Sequence, residues 1–358
     1  MKIFFDHQIF SLQRYGGVSR YFVELMKRIP KTEWDTSTIY SNNAYVQEAK
    51  LFAIHPFLPE FSFYGKERLL SLAGNAFSTY KILTKQFDIF HQTDYNPYCI
   101  PYLKKRNIPM VTTCHDLNFA TVNQINYLMR WQKKSMENAD AIISISNHTK
   151  KEMVRLWDIS PDKIFVIHHG VNRMGNFFYD RILPYPYILY VGTRFGFKNF
   201  NSVLRTSKNL FVKYKDLKLV CTGTAFQKNE LKLINESGIR DRVVHVSASE
   251  KQLYSLYHFA ELFVFPSFSE GFGMPLLEAM ANKCPVACSN TSCFPEIAGD
   301  AALYFSPENL DEMYDVLDVY LNNPSVRELY IEKGMKRIKD FSWEKSVEAH
   351  LNVYRKFI

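Results

Sequence analysis

Two carboxylates, Glu270 and Glu278, stand with seven residues between them in the string FPSFSEGFGMPLLE, Phe265 to Glu278. The string has the grammar of a strand ending at Pro266 and Ser267, a loop holding Gly271 and Gly273, and a helix with Pro275 in its first turn. Glycines let a backbone approach a ligand closely, and the N–H groups at a helix start attract phosphate or hydroxyl oxygens. Glu270 and Glu278 can then face one ligand, each accepting hydrogen bonds from paired hydroxyls such as those of a ribose or hexose. A lone pair of glutamates at this spacing would mean a strand–loop–helix with a capping glutamate. Phe272, Met274 and the two glycines extend it into a binding loop. Arg194 and Lys198 follow another strand-like run and read either as solvated charge or as cations that neutralise a departing diphosphate. His115 ends a third run, where a neutral ring nitrogen can orient a substrate or simply be satisfied in the core.

Strands separated by helices must hold these groups. Strands are expected at Lys2–Phe5, Thr36–Tyr40, Asp88–His91, Met110–Thr113, Ala141–Ser144 and Ile164–His168. A helix is expected from about Ser19 to Arg28. The alternation restarts with Tyr187–Val191, Leu217–Thr222, Arg242–Val246, Leu262–Pro266 and Pro285–Ser289, with helices such as Asn201–Tyr214 and Lys251–His258 between them. Segment 175–186, with two prolines and no periodicity, is the expected linker. The fold class is therefore α/β, with two doubly wound domains at 1–175 and 186–342 and a closing helix, roughly Trp343–Phe357, that returns to the first. Two such domains imply a cleft, and ligands of these sheets bind beyond the carboxyl ends of the strands.

The loop resembles the E-x7-E signature of family 4 retaining glycosyltransferases, which have the GT-B fold. Other strings fall in that family's order: RYGGVSRY from Arg14, TCHDL from Thr113, ADAIISIS from Ala139, YVGTRFGFKN from Tyr190, FPEIAGDAA from Phe294 and FSW from Phe341. The resemblance spans nearly the whole chain and is closest to a mannosyltransferase-like branch that builds bacterial surface polysaccharides. It implies transfer of a hexose, with mannose from GDP-mannose the first choice, to a glycan or polyprenyl-linked saccharide acceptor with retention at the anomeric carbon. A UDP- or dTDP-sugar donor and a sugar-nucleotide epimerase of the same shape remain alternatives. The resemblance also implies that Lys198 and Arg194 bind the diphosphate, although Arg194 lies two residues after Gly192 where many members place it one after. Glu278 then binds the ribose, Glu270 the sugar, and His115 contacts the donor sugar. Gly16 and Gly17 form a tight turn too short for a dinucleotide fingerprint, and in the family this loop abuts donor and acceptor. His91, Asp94 and Tyr95, ending a neighbouring strand, are candidates for the acceptor side. His168, His169 and Gly170 depart from the family's usual turn and are assigned no chemistry. No carboxylate is placed by sequence to act as a covalent nucleophile. No D-x-D occurs, so neither metal nor cofactor is expected, and Arg, Lys and helix dipoles take the ion's place.

Composition bounds the remaining classes. The chain has 358 residues, 47% hydrophobic and 22% charged, which excludes disorder and suits about two domains. No run reaches the roughly 18–20 apolar residues of a bilayer span, and the opening MKIFFDHQIF reads as a strand rather than a signal peptide. Six cysteines without a C-x-x-C pair argue against structural zinc and for a reducing compartment. The net charge of +8 is concentrated in residues 1–180, where 22 basic side chains meet 16 acidic ones. That excess favours a polyanion, an anionic membrane or a phosphorylated ligand, and a basic membrane or nucleic-acid adaptor is the non-enzyme alternative. Basic residues do not interleave with aromatics as a stacking groove requires, so nucleic acid is not expected. In Gly65–Lys85, the residues Leu69, Leu72, Ala76, Tyr80 and Leu83 recur near a helical period beside Lys66, Arg68, Lys81 and Lys85. This pattern fits a helix packed on the sheet or one lying on an anionic bilayer, and the expected location is the cytoplasm at the inner face of the membrane.

Overall fold

The computed structural model describes residues 1–58, 61, 63, 65–117, 127–172 and 178–358. The chain divides into two units, Met1–Gly170 with Trp343–Ile358, and Val171–Ser342. Residues 175–177 of the expected linker lie outside the described residues, and 178–186 carry neither helix nor strand.

In the first unit β1 (Ile3–Phe5), β2 (Trp34–Thr36), β3 (Ile89–Gln92), β4 (Met110–Cys114), β5 (Ala141–Ser144) and β6 (Ile164–Val166) form a parallel sheet ordered β2-β1-β3-β4-β5-β6. Parallel sheets covered by helices on both faces need apolar residues on both sides of the strand. The run Ala141-Ile142-Ile143 in β5 meets that need, and every residue of the strand is buried. The second strand starts two residues earlier than the expected Thr36–Tyr40. Trp34 decides this: its ring lies edge-on to Phe5 and Phe52, its Nε1 donates to the Ile29 carbonyl at 3.2 Å, and Trp34 pairs with Ile3.

The second unit repeats the architecture with β7 (Tyr187–Val191), β8 (Lys218–Thr222), β9 (Val243–His245), β10 (Leu262–Phe265), β11 (Val286–Ser289) and β12 (Leu303–Phe305), ordered β12-β11-β10-β7-β8-β9. β12, a three-residue edge strand, has no counterpart among the expected elements. The order reverses between β7 and β10 here and between β1 and β3 in the first unit. At such switch points the connecting loops part, leaving a crevice at the strands' carboxyl ends.

The closing helix Trp343–Tyr354 belongs to the core of the first unit. Trp343, Val347, Val353 and Tyr354 pack with Phe5, Tyr21 and Phe22, and His350 Nε2 bonds the Tyr21 hydroxyl at 2.5 Å. A Cβ on Gly170 would sit 2.2 Å from the Trp343 nitrogen, so the approach requires glycine. All six cysteines are free and buried. Among the described residues no helix is long and apolar enough to cross a membrane.

Candidate active site

The second unit's switch point carries the expected loop. Lys198 ends a short 3-10 turn after β7, and Glu270 follows β10, the neighbouring strand. The two side chains meet, with Lys198 Nζ 2.5 Å from Glu270 Oε1 and both largely buried. Ser267 donates to the same carboxylate oxygen at 2.9 Å. The loops are fixed to each other as well. Phe268 N–H donates to the Phe197 carbonyl, and Asn199 Nδ2 donates to the carbonyls of Pro266 and Pro307. Asn199 holds a left-handed conformation, φ +54°, between the 3-10 turn and the helix Phe200–Lys213.

Beyond Glu270 the chain turns into the helix Met274–Ala281. Gly273 is its N-cap at φ +85°, where a side chain would be strained and its Cβ would press on Leu276 at 3.1 Å. Gly271 and Gly273 are buried, Met274 and Glu278 half-buried, and Pro275 occupies the first turn. A helix N-terminus with a lysine beside it is an anion-binding arrangement. Phe272 departs from the expected ligand contact. Its ring is withdrawn into the core against Phe341, leaving its backbone as the part that can line a site. Ser292, at φ +58°, was missed from sequence; its hydroxyl bonds both the backbone N–H and the carbonyl of Glu270.

Arg194 is a correction. Its side chain is fully buried and its donors are spent inside the protein: Nε donates to Glu230 at 2.8 Å, Nη1 to the Thr222 carbonyl at 3.1 Å, and Nη2 to the carbonyls of Thr224 and Ala225. It locks the loop after β8, with its guanidinium over the Phe226 ring. A guanidinium so committed has no donor to offer a diphosphate. Lys198 is the cation at the glycine loop.

In the first unit Gly16 caps the helix Gly17–Arg28, which starts two residues before the expected Ser19. A Cβ at Gly16 would strike the Gln13 side chain at 2.2 Å, and Gln13 Oε1 accepts the Ser19 N–H, whereas Gly17 faces open space. Beside this turn lies a pocket of about 370 Å³ lined by Ser11, Gln13, Arg14, Asn42, Gln47 and Lys66 among others.

His115 follows β4, and its backbone N–H donates to the Tyr95 hydroxyl, which in turn donates to the Thr113 carbonyl. Its ring packs edge-on against Tyr21, and Nε2 is sealed from water with no hydrogen-bond partner among the described residues. Burial, then repulsion from His350, pushes its pKa down to about 3, so the ring is neutral. Tyr95 thus fixes the backbone at His115 rather than its ring. Burial pushes the Asp94 carboxyl up to about 6, with the Tyr95 amide opposing the shift and Asp6 adding to it. His91 is a second correction. It is wholly buried, with Nδ1 bonded to the Tyr354 hydroxyl at 2.6 Å and Nε2 to Thr113 Oγ1 at 2.8 Å, so it faces the core rather than a substrate. His169, given no role from sequence, joins the same cluster against Tyr21 and His115. Among the described residues no group of three or more His, Cys, Asp or Glu is arranged to hold a metal ion.

Known proteins agree with this architecture. Residues 15–173 match the model of Glycosyltransferase Family 4, and residues 179–337 that of Glycosyl transferases group 1. The O-antigen chain mannosyltransferase B of Escherichia coli is 26% identical over 95% of this chain and 96% of its own length. The MMP alpha-(1->4)-mannosyltransferase of Mycolicibacterium hassiacum is 26% identical over 76% of this chain and 71% of its own. Among solved structures, sucrose-phosphate synthase of Thermosynechococcus elongatus superposes with a TM-score of 0.78 at 17% identity over 99% of both chains. Anabaena HepE in complex with UDP and glucose reaches 0.77 at 13% identity, again over 99% of both. With its GT-B fold and its two halves matched by the two models, the chain belongs to the family 4, group 1 glycosyltransferases and is a glycosyltransferase.

Proposed function

We propose that this glycosyltransferase moves mannose from GDP-mannose to a saccharide acceptor in the synthesis of a surface polysaccharide, with retention at the anomeric carbon. The observation that carries the reading is the Lys198–Glu270 pair, 2.5 Å apart at the switch point beside the Gly273 helix start. The mannosyltransferase names of relatives spanning most of the chain support the choice of sugar. In this scheme the donor's diphosphate takes the N-terminus of Met274–Ala281, and Lys198 turns from Glu270 toward the phosphate as charge grows on the leaving oxygen. That cation and the helix N-terminus do the work a divalent ion does elsewhere. Glu270, released from part of its ion pair, accepts from sugar hydroxyls, and Glu278 accepts from the ribose diol.

The first unit takes the acceptor, with its saccharide in the pocket beside Arg14 and Gln13. The neutral His115 offers Nε2, unpartnered among the described residues, to a substrate hydroxyl once binding uncovers that nitrogen. The acceptor oxygen bonds the anomeric carbon as the bond to the phosphate oxygen breaks, and the acceptor's proton passes to that phosphate on the same face. Glu270 keeps the hydrogen bond from Ser267 as Lys198 turns away, which makes it a poor covalent nucleophile.

Thermal shift against GDP, UDP, dTDP and ADP tests the donor, because a ligand stabilises the native state according to its affinity. GDP should raise the melting temperature most. A larger shift with UDP would replace the proposed donor, and no shift with any nucleotide would remove the site.

A further inference from the structure

The helix Lys66–Thr84 packs on the first unit through Leu70, Ser78 and Ile82, with Gly74 pressed against the His7 ring. Ser78 is bonded by the hydroxyls of Ser37 and Tyr98. The apolar set noted in the sequence lies elsewhere. Leu69, Leu72, Tyr80 and Leu83 are 52%, 58%, 59% and 45% exposed, and Ala76 between them is exposed too. At about 100° per residue these five positions span an arc of roughly 80°, and the packed residues lie on the opposite side. A helix whose buried and outer faces are both apolar has one face in excess of what its own unit can cover. Phe61 and Phe63, just before the helix, are exposed as well.

Charge indicates what covers this face. Lys66 and Arg68 stand at the helix start, with Arg68 exposed, and Lys85 is exposed just beyond its end. Arg106 donates to the carbonyls of Ile82 and Lys85 there. From 66 to 106 seven basic residues meet three acidic ones, a balance of +4 (7 − 3). An apolar stripe with cations at both ends matches an anionic bilayer surface, with acyl chains meeting the stripe and headgroups meeting the cations. We infer that the face Leu69–Leu72–Ala76–Tyr80–Leu83 docks this protein onto anionic phospholipid. The same helix start contributes Lys66, Glu67 and Leu70 to the pocket beside Arg14, so docking would bring that pocket to the membrane surface. Docking requires no assumption about the sugar transferred.

Co-sedimentation of the full chain with vesicles tests this, using phosphatidylglycerol against phosphatidylcholine at low and high salt. Two double variants, Leu72→Ser with Tyr80→Ser and Arg68→Glu with Lys85→Glu, alter only exposed side chains, and circular dichroism melting checks that they fold. The wild type should pellet with phosphatidylglycerol at low salt, stay in solution with phosphatidylcholine, and be released by high salt. Each double variant should bind about tenfold or more weakly, with its nucleotide-induced thermal shift unchanged. Wild-type protein left in the supernatant with phosphatidylglycerol at low salt overturns the inference, and so does either variant pelleting like wild type. A dimer in solution that the Leu72/Tyr80 variant dissociates, without vesicle binding, assigns the face to a second copy of the chain instead. A lost nucleotide shift with vesicle binding intact would strike the proposed function and leave the docking face standing.

Discussion

Lowering the pH from about 7.5 to about 5.5 should unfold the first unit ahead of the second. His91, His115, His169 and His350 are all buried in the first unit, and burial is the largest cause depressing each of their pKa values, to about 3 for His115 and about 4 for His350. The unfolded chain titrates its histidines near 6.5, so acid protonates the unfolded state while the folded state stays neutral. Stability is present above that value and is lost as pH falls from about 6.5 toward the folded values. His115 and His350, whose folded values lie well below this interval, each lose on the order of 1 kcal/mol across it, and His91, His169 and the buried His7 shift stability in the same direction. Asp94 works in the opposite direction. Its carboxyl, raised to about 6, takes up a proton in the folded state and returns a smaller amount, somewhat under about 1 kcal/mol. The net loss, on the order of 2 kcal/mol from the two histidines with the Asp94 gain set against them and the other buried histidines adding to it, is a substantial share of the 5–15 kcal/mol of an ordinary domain. All four tryptophans, Trp34, Trp131, Trp157 and Trp343, lie in the first unit, so their fluorescence follows it alone. With an m-value of about 2 kcal/mol/M, the urea midpoint by tryptophan emission should fall by about 1 M or more. His350→Gln should lower stability at both pH values yet remove part of the pH dependence, about 1 kcal/mol over the interval. A midpoint that moves by less than one histidine's worth would refute the neutral cluster.

Other outcomes follow from the second unit. Lys198→Ala should lower turnover by about 10²–10³ if Nζ meets charge on the leaving phosphate, and Glu270→Ala should act on turnover more than on nucleotide affinity; steady-state kinetics with both unchanged would remove the pair from the chemistry. Glu278→Ala should weaken nucleotide binding by about 1.5–3 kcal/mol, the worth of a hydrogen bond to a charged group, and calorimetric titration with an unaltered dissociation constant would remove it from the ribose. Arg194→Ala should cost about 3–5 kcal/mol of stability because it leaves Glu230 buried without its cation. Turnover per folded molecule should barely change; a fall of 10² or more in a well-folded variant would return Arg194 to the diphosphate.

Strand–loop–helix order and the spacing of chemistry-bearing residues were legible along the chain because both are local. Tyr187–Val191 and Ala141–Ser144 stand where their apolar runs put them, and the loop from Ser267 to Pro275 forms as its glycines and proline require. Saturation of a side chain was not legible, because it depends on which strands become neighbours. Arg194 and Lys198 show why. Both leave the end of β7 four residues apart, and β7 has β8 on one side and β10 on the other. Arg194 turns to β8 and is consumed by Thr222, Thr224 and Glu230; Lys198 turns to β10 and reaches Glu270. Nothing in YVGTRFGFKN states which neighbour each cation faces. His91 failed as an acceptor residue in the same way, since its partners Thr113 and Tyr354 come from β4 and from a helix 263 residues later. The outer face of Lys66–Thr84 is the converse case. Its period was visible, but a helical period is identical whether the stripe faces the core or solvent, and only the competing set Leu70, Ser78 and Ile82 turned it outward. Residues with two possible neighbours, at switch points and on helices with two apolar faces, are therefore where a structure alters a functional reading most, and they are the residues to mutate first.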